Sequence, residues 1–189
     1  MRIVGGSLRG RRLRAPAGAR VRPTAERVRE ALFDILVHGG MAGPLEGTRV
    51  VDLFAGTGAL GLEALSRGAA ALTAVEGEAD VRGVLRANIE ALGCGDRASV
   101  LACDATRLPP AMQACDLALL DPPWRSNLAV PALAALVGGG WLARDATVVV
   151  EHGVDDPFEP PATLAPHDHR RYGRTALTFL RPSGEPRPG

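Results

Sequence analysis

The chain has 189 residues, 46% of them hydrophobic, which suits one globular domain with a full core. Its net charge of +1 conceals an asymmetry. Arg2, Arg9, Arg11, Arg12, Arg14, Arg20, Arg22, Arg27 and Arg29 face only Glu26 in the first 29 residues, giving +8 there and leaving −7 on the remainder, so a field able to attract a polyanion is confined to the N-terminus. Cys94, Cys103 and Cys115 are odd in number and lack C-x-x-C spacing, which argues against a disulfide framework or a zinc site, and no apolar run approaches the roughly 18 residues of a membrane span; a cytoplasmic protein without a membrane partner is expected.

Along the chain, Ile3-Val4 and Leu13 flank Gly5, Gly6 and Gly10, which reads as a small basic hairpin, here expected to be a mobile arm over residues 1–22. Pro23 and Thr24 open a helix with apolar positions Val28, Ala31, Leu32, Ile35 and Leu36, ended by Gly39-Gly40. Short apolar runs then alternate with helical segments, the pattern of a parallel sheet with helices on both faces. The expected strands are Val50–Leu53, Leu72–Glu76, Ser99–Ala102, Leu117–Leu120, Thr147–Glu151 and Ala176–Leu180. Expected helices are Ala59–Ser66, Ala79–Leu92 with Asn88 or Gly93 as its stop, and Leu128–Val137. The Pro- and acid-rich stretch Asp155–Pro166 reads as a loop. Residues 182–189 read as a disordered tail, leaving a main domain over 23–181.

The first of these strands runs through Asp52-Leu53-Phe54-Ala55 into Gly56-Thr57-Gly58-Ala59-Leu60-Gly61, which fits G-x-G-x-x-G, and Glu76 follows Gly56 by 20 residues at the end of the next strand, the place of a ribose-binding carboxylate. A tight turn with no ligand would carry the same glycines. A nicotinamide loop brings a pyrophosphate to the helix N-terminus, where a nearby acid is unfavourable; Asp52 suits a cationic ligand better, such as the sulfonium and ammonium of S-adenosylmethionine. Asp52 equally suits a cap on the turn. Asp104, after the third strand, is placed either to accept from an adenine amino group or to cap the following segment.

Asp121-Pro122-Pro123-Trp124 follows the fourth strand at the same edge. Two prolines stiffen the loop and remove two donors, leaving carbonyls and the Asp121 carboxylate as acceptors. An exocyclic amine on a base is a poor nucleophile because its lone pair is delocalised into the ring. Acceptors at Asp121 and the Pro122 carbonyl would hold the nitrogen toward a methyl sulfonium and stabilise the charge developing on it. In a chain with only two Trp, one Tyr and four Phe, Trp124 beside Pro-Pro reads as a stacking surface for an unstacked base, with a merely packing Trp as the alternative. Bottom-up, guanine-N2 and adenine-N6 amines are not separated.

The run from Asp52 to Ala69, with Arg22-Pro23-Thr24 and Arg27-Val28-Arg29-Glu30-Ala31-Leu32-Phe33 before it, resembles the RsmD family of bacterial 16S ribosomal RNA guanine-N2 methyltransferases. The likeness runs from Arg2-Ile3-Val4-Gly5-Gly6 to Tyr172-Gly173. It implies an α/β class I (Rossmann-like) S-adenosylmethionine-dependent methyltransferase fold with a seven-stranded mixed sheet, its last strand antiparallel, helices on both faces and a small basic N-terminal hairpin. It also implies 16S rRNA as partner, within the small subunit or its assembly intermediate, a monomeric enzyme, S-adenosylhomocysteine as product, and no metal. The cofactor-binding residues are then Asp52, Phe54, Gly56, Thr57, Gly58, Glu76 for the ribose, and Asp104 and Ala105 for the adenine. The catalytic set is Asp121, Pro122, Pro123 and Trp124. The family's tetrapeptide usually ends in Tyr or Phe; Trp124 enlarges that surface.

Arg2, Arg9, Arg11, Arg12, Arg14 and Arg22 are the expected RNA contacts, as phosphate binders rather than base readers, with plain solubilising charge as the alternative. Arg22, Thr24 and Arg27 also stand at a helix start able to face the cofactor's carboxylate or simply to cap the helix. His152, His167 and His169 lack metal-ligand spacing. Two rival functions explain less. An NAD-dependent oxidoreductase gives no role to Asp121–Trp124 or the arm, and a non-catalytic RNA-binding protein explains the arm alone. Adenine-N6 methylation of RNA or DNA stays open on the residues themselves.

Overall fold

The computed structural model describes residues 1–15 and 23–184. In chain order the elements are α1 (Pro23–His38), β1 (Arg49–Leu53), α2 (Ala59–Ser66), β2 (Ala71–Val75), α3 (Ala79–Ala91), β3 (Ala98–Leu101), β4 (Cys115–Leu120), α4 (Ala129–Gly138), β5 (Leu142–Gly153), β6 (Leu164–Tyr172) and β7 (Thr175–Pro182). They build one seven-stranded sheet of order β3-β2-β1-β4-β5-β7-β6. β1 to β5 pair in parallel, while β7 runs antiparallel between β5 and β6. The chain therefore reverses its direction of growth between β1 and β4, and the carboxyl edge there is where open α/β sheets bind ligands.

Both faces are covered, as near-continuous apolar strands require. On one face Val28, Leu32, Phe33 and Leu36 of α1, Leu62 and Leu65 of α2, and Leu85 and Ile89 of α3 pack on Val50, Ala74, Leu119, Val149 and Phe179. On the other, Ala132, Leu133 and Leu136 of α4 join Trp141 and Leu164 over Val51, Ala118, Val148 and Leu180. Gly93, at φ +67°, ends α3. Asn88 is not the stop: it lies buried within the last turns, and its side chain binds the backbone of Arg14 and Thr57.

Two stretches differ from their sequence reading. Leu164–Pro166, expected as loop, begins β6, an edge strand with one buried residue, a register shift between Pro166 and Asp168, and exposed His167, Arg170 and Arg171. An edge needs no apolar alternation, and charges and proline protect it from further pairing, so it has no hydrophobic signature. Pro182 closes β7 and Ser183 N–H donates to the Thr163 carbonyl, so the start of the expected tail is tied down; residues 185–189 lie outside the described residues.

The N-terminal arm forms the expected hairpin through residue 15, with a bridge between Arg2 and Arg12, but it is not loose. Ile3 and Leu13 are core residues. Glu63 of α2, wholly buried, accepts from the Val4 and Gly5 N–H groups at 2.8 and 2.7 Å and from Arg67 Nε at 2.9 Å, with Arg29 Nε at 3.5 Å. Ser66 adds its carbonyl to Ser7 N–H and its hydroxyl to Leu8 N–H. A Cβ on Gly6 would stand 1.9 Å from the Ser66 carbonyl oxygen, so only glycine allows this seat. Among the described residues no helix is long and apolar enough to cross a membrane.

Because breaking a buried, multiply bonded charge leaves its partners uncompensated, Glu63→Ala is expected to destabilise the protein by roughly 3–5 kcal/mol in urea unfolding. Fast amide hydrogen exchange at Val4 and Gly5 would accompany the destabilisation, whereas an unchanged unfolding midpoint would deny the clamp.

Candidate active site at the carboxyl edge of the sheet

The turn between β1 and α2 uses its glycines for different purposes. Gly61 N–H donates to Asp52 Oδ2 at 2.8 Å, so Asp52 supplies the acceptor that Gly58, at the helix N-cap, lacks. A Cβ at Gly61 would meet Leu72 Cδ1 at 2.6 Å, and one at Gly58 would meet Leu85 Cδ1 at 2.7 Å; both positions serve close packing. Gly56, at φ +57°, has nothing nearer than 3.8 Å where a Cβ would stand, so its surface is open to a ligand. Phe54 before it also holds a positive φ, 62°, which costs a non-glycine residue strain of the kind stored at functional turns. Thr57 is fixed at its carbonyl by Asn88 Nδ2 at 2.9 Å, and its hydroxyl faces Met1 Sδ at 3.6 Å.

Glu76, just past β2, accepts from Gly56 N–H and Glu78 N–H, each at 2.9 Å, and so ties the glycine turn to the next strand while each oxygen keeps a second lone pair. Asp104 Oδ1 accepts from both the N–H and hydroxyl of Thr106 at 2.8 Å, which holds its carboxyl below the usual range; Asp104 is exposed and Ala105 buried beside it.

Register explains how the acids converge. Asp52 pairs with Ala74 and with Leu119, and Leu119 with Val149. Side chains alternate along strands, so Glu76, Asp121 and Glu151, each two residues beyond one of those partners, point to the same side as Asp52, the side of α1, α2 and α3. Burial, with the charges of Asp121 and Glu76, pushes the Asp52 carboxyl up to about 7. Burial and the Asp121 charge push Glu151 up to about 8 against the pull of Arg29.

The tetrapeptide itself is a locked loop. Ser126 binds the Pro123 carbonyl through both its N–H and hydroxyl, Arg125 N–H donates to Asp156 Oδ2, and Arg125 and Asn127 both hold positive φ. Among the described residues no donor occupies the carbonyl of buried Pro122, leaving it available beside exposed Asp121. Half-buried Trp124 lies on Gly153, where a Cβ would approach its Cε3 to 3.3 Å, so the larger ring is accommodated by a missing side chain. Trp124, Pro122, Pro123, His152 and Phe158 line a cavity of about 220 Å³ beneath the loop.

Of the expected RNA contacts, Arg2, Arg9, Arg11, Arg12 and Arg14 are exposed on the docked hairpin; Arg22 lies outside the described residues. Arg2 pairs with Glu26 at 3.2 Å and Arg11 Nη2 donates to the Ala91 carbonyl, while Arg2, Arg9 and Arg27 border a groove of about 400 Å³ with Glu26 and Glu30. Among the described residues no three His, Cys, Asp or Glu side chains are grouped to hold a metal ion. Sequence reasoning missed Glu151, Arg29 and Gly153. Glu151 carried a signal, an acid closing an expected strand as Glu76 does; Arg29 and Gly153 matter only through tertiary neighbours.

The family described as "Conserved hypothetical protein 95" matches residues 1–181. The chain is 36% identical over 177 residues to "Ribosomal RNA small subunit methyltransferase D" of Escherichia coli (strain K12), covering 93% of this chain and 87% of that protein. It is 35% identical over 165 residues to the protein of the same description from Haemophilus influenzae, covering 85% and 83%. The solved structure "Putative methyltransferase yhhF from Escherichia coli" superposes with a TM-score of 0.82 at 34% identity over 98% of this chain and 99% of that one. With the strand order and glycine turn already seen, the fold is the Rossmann-like class I methyltransferase fold, and the chain belongs to the RsmD family, which includes the two relatives described above as small-subunit ribosomal RNA methyltransferases.

Proposed function

We propose that this chain methylates the exocyclic N2 amino group of one guanine in 16S ribosomal RNA, with S-adenosylmethionine as donor. The observation that carries the reading is the placing of Asp121 and the available Pro122 carbonyl on a locked loop at the same sheet edge as the glycine turn and Asp52. The relatives' descriptions supply the small-subunit RNA; the guanine comes from the family resemblance. In this reading the substrate is the small subunit or its assembly intermediate, in the cytoplasm, and the enzyme acts as a monomer.

The residues fit the cofactor. Gly56 offers the open backbone surface, with Phe54, Thr57 and Gly58 shaping the turn; Glu76 has lone pairs for the ribose hydroxyls, and Asp104 and Ala105 frame the adenine. Asp52, Glu76 and Asp121 supply a negative field for the methionine end. A dinucleotide finds less here, because Asp52 already occupies the first turn of α2, where a pyrophosphate would sit. When bound, S-adenosylmethionine supplies a sulfonium methyl, which passes to the base nitrogen as the carbon–sulfur bond breaks; sulfur keeps the electron pair and the nitrogen gives up one proton.

The chain's own work is positioning. Asp121 and the Pro122 carbonyl accept from the amine, orienting its lone pair and stabilising the positive charge that grows on nitrogen. Trp124 stacks on the extruded base, an interaction worth roughly 1–3 kcal/mol. The arm's exposed arginines engage phosphates, and Glu63 makes the arm a fixed rather than a trailing contact.

Mass-spectrometric mapping of small-subunit rRNA from cells lacking the protein is expected to show loss of one N2-methylguanosine, restored by the wild-type gene but not by Asp121→Ala, whose protein still binds S-adenosylmethionine in calorimetry. Loss of an N6-methyladenosine instead would transfer the reading to adenine, and an active Asp121→Ala would remove the proposed acceptor.

Since truncating the arm would expose core residues, the RNA interaction is better tested by substitution. Arg9→Glu with Arg12→Glu is expected to weaken rRNA binding and to lower the salt slope by roughly one for each phosphate no longer engaged. Equal affinity and slope would assign these arginines to solubility alone.

Asp52 gives a pH signature. Its raised value, about 7 against an ordinary 3.8, means that its contribution to stability is full below the ordinary value and is lost as pH rises through 7. Cation binding runs the opposite way. Calorimetry is expected to show S-adenosylmethionine affinity climbing as pH passes from about 6 to about 7.5, and Asp52→Asn flattening that climb; a climb of the same size in the variant would assign it to another group.

A further inference from the structure

Outside the arm, the described residues carry a second basic cluster, and the topology brings it to the active-site edge. β5 is parallel to β4, so Gly153, its last residue, lies at the carboxyl edge of the sheet. Gly153 pairs with Thr175, the first residue of antiparallel β7, and Thr175 pairs with Tyr172, the last of β6. The turn between β6 and β7 therefore stands at the same edge as the glycine turn and the loop 121–124. At about 4.8 Å per strand, β7 and β6 lie roughly 10 and 15 Å from β4, a distance that a few nucleotides of RNA cover.

The turn is built to hold its shape. Only Gly173 and Arg174 join the paired residues Tyr172 and Thr175, and Gly173 holds φ +61°, as a two-residue hairpin turn demands of its first central residue. Val154 N–H donates to the Arg174 carbonyl at 3.0 Å, and half-buried Tyr172 packs against the core on the α1 side. The side chains that this frame presents are cationic. Arg170, Arg171 and Arg174 are exposed, with Asp168 the one acid between His167 and Arg174. Asp168 binds Arg170 at 2.8 Å, whereas among the described residues Arg171 and Arg174 enter no ion pair, not even with exposed Asp155 beside Val154.

We propose that this turn is a second RNA contact, in which Arg171 and Arg174 bind backbone phosphates of the rRNA a few nucleotides from the target base. Taken with the functional reading above, on which it rests, this contact completes the substrate's path across the edge. Glu76 and Asp121, with Asp52 where it is ionised, make the middle of the edge negative, so a polyanion drawn across it is repelled at the point where the base must enter. Anchors on both flanks offset that repulsion. The arm is seated on α2, which covers β1 and β2, and supplies one flank; the β6–β7 turn supplies the other, beyond β5. An RNA strand held at both places lies over the loop 121–124. Because the turn is ordered beforehand, Arg171 and Arg174 lose only side-chain freedom on binding. Their task is charge and donors for phosphate oxygens, with no reading of sequence.

The test is equilibrium binding of small-subunit rRNA, followed by fluorescence anisotropy between about 50 and 200 mM salt. Wild type is compared with Arg171→Glu, Arg174→Glu, their double variant and, as a control of equal charge change, Arg144→Glu, whose arginine is exposed near the start of β5 at the opposite edge. Each substitution in the turn is expected to weaken binding roughly tenfold and to lower the salt slope by roughly one, with the double variant losing both contributions. S-adenosylmethionine affinity in calorimetry and the urea unfolding midpoint stay those of the wild type, Arg144→Glu keeps wild-type affinity and slope, and Arg171→Lys with Arg174→Lys keeps most of the affinity. The proposal is overturned if the turn variants bind with wild-type affinity and slope, or if Arg144→Glu weakens binding as much as they do, which would assign the effect to overall charge. It is equally overturned if their loss of affinity follows a change of oligomeric state in sedimentation, which would assign the turn to contact between copies of this chain. Wild-type protein without salt-dependent affinity for small-subunit rRNA defeats the underlying reading, while wild-type binding that the turn variants retain in full defeats only the second contact.

Discussion

Four carboxylates, those of Asp52, Glu76, Asp121 and Glu151, leave the carboxyl edge of adjacent strands on one side of the sheet, and most of the site's properties follow from their crowding. Asp52, Glu76 and Glu151 are each stabilised locally by a different device. Gly61 N–H serves Asp52, two backbone N–H groups serve Glu76, and Arg29 offsets the charge of Glu151. These devices do not neutralise the group as a whole. Asp52 and Glu151 are both pushed toward their protonated forms, so the edge is held near the limit of negative charge it tolerates. A cation entering this field is attracted by acids the protein could not otherwise keep ionised together. The same field is hostile to a pyrophosphate, so in the proposed reading one arrangement favours a sulfonium and disfavours a dinucleotide.

The opposite charge problem is solved on the other side of α2. The +8 N-terminal stretch would repel itself if it were free. Glu63, with no exposed surface, draws two arm N–H groups, Arg29 and Arg67 onto one carboxylate, and Arg67 also lies 5.2 Å over the Phe33 ring. Residues 1–15 are thereby welded to α1 and α2 with Arg2, Arg9, Arg11, Arg12 and Arg14 exposed. In the proposed reading, a basic surface that is already ordered loses less entropy on meeting RNA. Met1, against Thr57, and Arg14, on Asn88, carry the same rigid body to the glycine turn.

The parts of this design that were legible in the sequence are those that local chemistry forces. Alternating apolar runs and helices announced β1 to β5, and Gly56 to Gly61 after a strand announced the turn that Glu76 ties to the next strand. Asp121-Pro122-Pro123-Trp124 stood out because two prolines at a strand end have few uses. What was not legible depends on partners distant in sequence. β6 is an exposed edge with charged residues and a displaced Pro166, so no periodicity betrays it. The arm's Gly-rich composition suggests mobility, yet Glu63, some 59 positions on, abolishes it. The double life of Asp52, cap and charge at once, also shows that two readings of one residue need not compete: one oxygen holds Gly61 while the buried charge shapes the field.

The tetrapeptide shows the same dependence at smaller scale. Its stiffness does not come from the prolines alone. Asp156, from the segment after β5, takes the N–H of Arg125, and Ser126 takes up the Pro123 carbonyl, whereas among the described residues no donor takes up that of Pro122. A side chain at Gly153 would press on the Trp124 ring at 3.3 Å and make it give way by a few tenths of an ångström; glycine gives the ring room, and His152 and Phe158 line the cavity below. β5 therefore serves β4 three times within Glu151, His152 and Gly153, on both sides of the sheet. The tetrapeptide is better understood as a two-strand device, in which β4 carries the loop and β5 shapes the space beside it and places an acid next to Asp121.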